Sequence, residues 1–135
     1  IADKIKTAHK RNLKVILWLE ELNSEIRNRK KVLRNQLKSL PVNPNHKNLI
    51  IAYEPVWAIG TGLTPSLLEI NGIHSSIRSI LKSKSDFSNK VSILYGGSVN
   101  AKNAKEILSL ENVDGALVGG ASLKFSEFSK IIDYS

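Results

Sequence analysis

Three near-continuous apolar runs punctuate the chain, Leu13 to Leu19, Leu49 to Tyr53 and Val91 to Tyr95, and a fourth spans Val113 to Val118. Each is short and unbroken, as a parallel strand buried on both faces requires. Between the runs the apolar residues recur at helical spacing instead. Ile1, Ile5 and Ala8 mark a helix to Arg11, closed by Asn12, which can take the left-handed conformation used after helix ends. Ile26, Leu33, Leu37 and Leu40, set among Arg27, Arg29, Lys30 and Arg34, mark a second helix; Asn23 and Ser24 can cap it, and Pro41, Asn43 and Pro44 break it. Leu67, Leu68, Ile70, Ile73, Ile77, Ile80 and Leu81 form the apolar face of a third, running to about Lys82, with Thr64 as N-cap and Pro65 at the first helical position. Asn100 caps a fourth helix carrying Ala104, Ile107 and Leu108, and Phe125, Phe128, Ile131 and Ile132 mark a short closing one. The predicted order is α-β-α-β-α-β-α-β-α. This is an α/β fold of four parallel strands alternating with helices, one domain over residues 1–135, with right-handed crossovers.

Composition narrows the function classes. With 41% apolar and 24% charged residues the chain suits a soluble globular domain. No stretch approaches the roughly 18 consecutive apolar residues of a membrane span, and no secretory signal opens the chain, so a cytoplasmic protein without a membrane partner is expected. There is no cysteine, hence no disulfide or thiolate chemistry. His9, His46 and His74 each stand apart from acidic clusters, so neither a metal nor a cofactor is expected. The net charge of +8 invites a nucleic-acid reading. Against it, the lysines are scattered and are not interleaved with exposed aromatics; the charge reads as a solvated surface, with no nucleic-acid partner.

The residues with chemical potential fall just past the ends of the predicted strands. Glu54 follows the second, ahead of a loop anchored by Pro55 and Trp57 that ends in Gly60 and Gly62; Gly96-Gly97-Ser98 follows the third and Gly119-Gly120 the fourth. In parallel α/β folds ligands bind at that edge. Taken singly, Glu54 reads as an ordinary strand-end charge and each Gly-Gly pair as a tight turn needing positive φ. Taken together, the glycines offer backbone N–H groups to an anion, Ser98 adds a hydroxyl, and Glu54 stands beside them as an acid or base.

Three of these segments also resemble a known family. Ala52-Tyr-Glu-Pro-Val-Trp-Ala-Ile-Gly-Thr-Gly62, Tyr95-Gly-Gly-Ser-Val-Asn100 and Val113-Asp-Gly-Ala-Leu-Val-Gly-Gly-Ala-Ser-Leu123 are similar, nearly letter for letter, to signature segments of triosephosphate isomerase. The likeness spans the chain, because Leu13 to Leu17 resembles that family's fifth strand, Gln36 to Lys38 lies in its fifth helix, and Ile73 to Arg78 resembles its sixth. It implies the C-terminal half of a TIM (β/α)8 barrel, the last four βα units with the preceding helix.

The resemblance also implies an activity: interconversion of dihydroxyacetone phosphate and glyceraldehyde 3-phosphate, a step of glycolysis and gluconeogenesis, by proton transfer on a phosphorylated triose. Glu54 would be the base. Gly60, Ser98, Gly119 and Gly120 would hold the substrate phosphate. Pro55, Val56 and Trp57 would form the hinge of a lid and Ala58, Ile59, Gly60 and Thr61 its tip, with Tyr95 and Ser98 as latch. The family is homodimeric, so a second copy is one expected partner; a chain supplying the first half-barrel is another.

There are departures from the family pattern. The resemblance does not extend to the segments that carry the family's substrate-binding lysine and electrophilic histidine, so the chain alone is expected to have little isomerase activity. Alternatives are a non-catalytic relic and a phosphate-binding half-barrel that needs an assembly partner. Where the family's fifth-strand turn reads Cys-Ile-Gly-Glu, this chain has Trp18-Leu19-Glu20-Glu21, and the lid's second hinge, Gly62-Leu63-Thr64-Pro65, is abbreviated. Four strands of a barrel leave two open edges and an uncovered apolar layer, expected to include residues from Val15 to Leu17, Ile51, Ile93 and Leu117.

Overall fold

The computed structural model describes residues 1–41, 46–58, 64–84 and 91–135. Four strands, β1 (Val15–Glu21), β2 (Leu49–Pro55), β3 (Ser92–Tyr95) and β4 (Gly115–Ala116), pair in chain order as one parallel sheet. Helices α1 (Ala2–Lys10), α2 (Arg29–Leu37), α3 (Leu67–Lys82), α4 (Ala104–Leu108) and α5 (Phe125–Ile132) alternate with them. The sheet is open, with β1 and β4 as its edges.

One face of the sheet makes the core. The register aligns Leu17 with Ile51 and Ile93, and Leu19 with Tyr53 and Tyr95. These pack with Ile5 of α1, Leu33 and Leu37 of α2, and Ile70, Ile73, Ile77 and Leu81 of α3. The opposite face carries Trp18, Ala52, Leu94 and Gly115 in one layer and Glu20 with Glu54 in the next. Burial on both faces, expected from the apolar runs, is not found in β1: Leu17, Leu19 and Glu21 are buried, whereas Ile16 and Trp18 are 50% and 51% exposed. The open layer also differs in its members, since Ile51 and Ile93 lie fully buried beneath the helices. Strand residues alternate in direction, so an unbroken apolar run leaves open which parity the helices cover.

Element ends differ from expectation for local reasons. β1 runs past the apolar residues to end at Glu21, with Glu20 and Glu21 in register with Glu54 and Pro55. Asn23 and Ser24 lie within a 3-10 turn, Asn23–Asn28, that precedes α2; there the Glu25 carboxylate accepts the Leu22 N–H at 2.8 Å. Ser66, not Thr64, caps α3. Its hydroxyl accepts the Glu69 N–H at 3.3 Å while the Glu69 carboxylate accepts the Ser66 N–H at 2.9 Å, a reciprocal box that Thr64 lacks. The fourth strand is confined to Gly115–Ala116, although Asp114 N–H to Ile93 O and Leu117 N–H to Tyr95 O prolong its ladder. Asn12 has φ 56°, as a helix-closing asparagine should, and Asn100 accepts the Lys102 N–H at 2.9 Å ahead of α4. Asn43 and Pro44 lie outside the described residues.

His74 of α3 sits in the core against Tyr53, edge to face at 5.9 Å, and Tyr95, tilted at 6.2 Å. Neither ring nitrogen meets a hydrogen-bond partner among the described residues. Burial lowers its pKa from 6.5 to about 4; Arg78 adds to the fall, and the Asn112 backbone and Asp114 oppose it. The folded state thus resists a proton that the unfolded chain accepts. Stability contributed by neutral His74 is complete above about pH 6.5 and is lost as the pH drops towards about 4. Urea unfolding of the chain and of His74→Phe between those limits should show the variant losing less stability on acidification.

Candidate active site

Glu54 stands next to last in β2, and its side chain is directed to the sheet face away from the helices, between buried Tyr53 and Pro55. It borders a cavity of about 500 Å³ together with Trp18 of β1, Gly96 to Val99 after β3, and Leu117 to Gly120 after β4. The strand-end residues singled out in sequence therefore converge where they fall among the described residues. Burial, and then the charge of Glu20 across the β1–β2 ladder, raise the Glu54 pKa above the usual carboxylate value. A carboxylate with raised proton affinity is a stronger base once ionised.

The glycines differ in what they do. Gly97 is demanded by packing, because a Cβ there would stand 2.2 Å from the Tyr95 hydroxyl oxygen. Gly96 donates its N–H to Tyr53 O at 2.8 Å, and a Cβ would come within 3.2 Å of that same oxygen. At Gly119 and Gly120 a Cβ would meet nothing within 4 Å, and neither residue has positive φ. Bare backbone at the cavity wall there leaves room for a ligand.

The predicted lid hinge grows directly out of β2. Pro55 ends the strand, and Val56–Ala58 form a 3-10 turn. The Ser98 hydroxyl donates to Ala58 O at 3.1 Å, tying the turn after β3 to this segment. Ile59, Gly60 and Thr61 lie outside the described residues. The Tyr95 hydroxyl is buried without a partner among the described residues.

An anchor for the hinge lies beneath it. Glu21, fully buried at the end of β1, accepts hydrogen bonds from the Tyr53 hydroxyl at 2.7 Å, Trp57 Nε1 at 3.3 Å, Arg29 Nη2 at 3.1 Å and Arg29 Nε. Burial opposes the Arg29 charge, but the bond to Glu21 and its charge outweigh that and hold the Arg29 pKa up. Burial and then Glu21 push the Tyr53 hydroxyl well above its usual pKa. The apolar run of the first strand stops at Leu19 and gives no role to Glu21. The available signal was parity, since Glu21 shares the face of Leu17 and Leu19.

A parallel βα sheet with its polar groups and glycine turns at the C-terminal strand ends, left open along two edges, is half of a (β/α)8 barrel of the enzyme type. A family model described as triosephosphate isomerase matches residues 1–135, and the chain belongs to that family. It is 45% identical over 132 residues to the triosephosphate isomerase of Rhizobium meliloti, covering 95% of this chain and 52% of that protein. With the triosephosphate isomerase of Bradyrhizobium diazoefficiens it shares 53% identity over 102 residues, 74% of this chain and 41% of the relative. The crystal structure of triosephosphate isomerase from Bartonella henselae superposes with a TM-score of 0.87 at 36% identity, over 98% of this chain and 55% of that one. The chain spans about half the length of the relatives it matches.

His9 Nε2 lies 3.3 Å from the Asn48 carbonyl oxygen and His74 is in the core, so neither borders the cavity. No helix among the described residues is long and apolar enough to cross a membrane.

Because Glu21 is fully buried and depends on one cation, Arg29→Leu should cost about 3 to 5 kcal/mol in urea unfolding, the usual penalty for stranding a buried charge. Tyr53→Phe, which removes one of several donors, should cost only about 1 kcal/mol.

Proposed function

We propose that this chain carries the base and the phosphate-binding turns of a triosephosphate isomerase, acting on dihydroxyacetone phosphate and glyceraldehyde 3-phosphate in glycolysis and gluconeogenesis. One observation carries the reading: Glu54 and the turns after β3 and β4 line a single cavity. Ionised Glu54 takes the carbon-bound proton and returns it to the neighbouring carbon. Its raised proton affinity supports that role. Ser98, Gly119 and Gly120, with Gly60 from the loop, hold the phosphate through backbone N–H groups, and the open space at Gly119 and Gly120 is consistent with close approach of an anion.

The lid reading places the hinge at Pro55, Val56 and Trp57, where the Glu21 carboxylate braces the Trp57 indole. Ala58, Ile59, Gly60 and Thr61 form the tip, and Ser98 and Tyr95 the latch. Closing such a lid excludes water from a carboxylate that must work against carbon. The lysine and electrophilic histidine of the family belong to its four preceding βα units, so this stretch alone holds part of the apparatus.

The open sheet favours a second, compatible reading, in which this half-barrel works in association. Ile16 and Trp18 are half exposed, and β1 and β4 are the edge strands of the sheet. The occupant is the complementary half-barrel, within the homodimer typical of the family.

NMR titration with a phosphorylated triose analogue should shift the amides of Gly97, Ser98 and Gly119; no change at these residues would count against the phosphate site. In a coupled assay the chain alone should turn over negligibly, and a rate near that of an intact isomerase would overturn the division of labour. Joined to the four preceding βα units, Glu54→Gln should lower kcat about 10²- to 10⁴-fold with KM little changed. Sedimentation of the chain alone should show self-association, against which a compact monomer would speak.

A further inference from the structure

β1 contributes two residues to the site side of the sheet that the base and phosphate reading leaves unused, Trp18 and Glu20. The register sets Glu20 directly opposite Glu54, and neighbouring strands stand about 5 Å apart. The two carboxylates share a face, since the residues flanking each along its strand, Leu19 and Glu21, Tyr53 and Pro55, are the buried ones.

The Glu20 backbone is held in place, while its side chain is exposed. The Gln36 carboxamide of α2 accepts the Glu20 N–H at 3.0 Å and donates to the Glu20 carbonyl at 2.7 Å, taking both backbone groups that the edge strand would otherwise expose. One layer below, the Trp18 indole joins Glu54 beside Gly96. A Cβ built on Gly96 would lie 3.8 Å from Trp18 Nε1 and 3.7 Å from Glu54 Cβ. The ring is thus one wall of the cavity. Among the described residues lining the cavity, Glu54 is the one with a titratable side chain, so no cation there offsets a neighbouring negative charge.

We propose that Glu20 is a positioning residue that acts on Glu54 as a neighbouring negative charge paired with it across β1 and β2, with Trp18 beside the two. A like charge alongside disfavours the ionised form of Glu54. Burial and the charge of Glu20, the one charged group among the described residues that acts on Glu54, both favour its protonated form. The consequence is coupling between charge and ligand: a phosphate-bearing ligand entering the cavity favours proton uptake by Glu54. Its relevance to turnover rests on the reading of Glu54 as base; the pairing itself does not.

The pairing is tested by following glutamate side-chain carbons by NMR through a pH titration of the chain, Glu20→Gln and Glu20→Lys, with amide spectra confirming the fold. The Glu54 midpoint should fall in Glu20→Gln and further in Glu20→Lys, a graded order that a purely structural role for Glu20 would not produce. An unchanged Glu54 midpoint in a folded Glu20→Gln variant overturns the proposal. Should neither variant keep the fold, salt on the unmodified chain decides. Raising it from about 0.05 to about 0.5 M screens the pair and should lower the Glu54 midpoint. The net charge of +8 alone would produce the opposite shift, so a rise or no change overturns the pairing. A titration that upholds the pair while Glu54→Gln leaves turnover intact would refute the base alone, and the reverse outcome would refute the pair alone.

Discussion

The in-register parallel pairing of β1 with β2 is the constraint on which the rest of this structure depends. Strand side chains alternate, so the register that seats Leu17 beside Ile51 and Leu19 beside Tyr53 under the helices also commits Trp18, Ala52, Glu20 and Glu54 to the opposite face. A slip by one residue would bury Glu20 and expose Leu19. The apolar contacts of Leu33, Leu37, Ile70 and Ile77 with the helix-facing layer therefore hold Glu54 in the cavity, although they do not touch it.

The same register brings Glu21 and Tyr53 together beneath the start of the loop. A fully buried carboxylate is stable only when its charge and lone pairs are matched, and here one arginine, one phenol and one indole do so. Because the indole belongs to Trp57, the strand core and the hinge share one polar network. Displacing Trp57 would therefore break a bond made inside the fold. Ser98 makes a second tie, from the turn after β3 to Ala58.

The departures from the family pattern fall on one strand. Trp18 and Glu20 replace the cysteine and glycine of the usual turn, and both lie on the site side of the sheet, while the retained glutamate, Glu21, lies on the core side. β1 thus keeps the carboxylate that holds Trp57 and changes the surroundings of Glu54. In an edge strand such changes meet fewer neighbours than they would in the middle of a sheet, which lets a large ring and a second carboxylate be accommodated.

Much of this was legible along the chain. Apolar runs and helical spacing determined the order of nine elements, Asn12 its left-handed turn, and the position of Glu54 and the glycines after strands the location of the cavity, because local propensity and chain order suffice for these. Which face each strand turns to the helices was not legible, since runs such as Leu13 to Leu19 are apolar at both parities. Nor was the burial of Glu21, the clamp of Gln36 on Glu20, or the core placement of His74. A side chain's partners from distant parts of the chain exist only once the strands are registered and the helices are laid over them, and that packing alone decided which of two adjacent glutamates braces Trp57 and which one stands opposite Glu54.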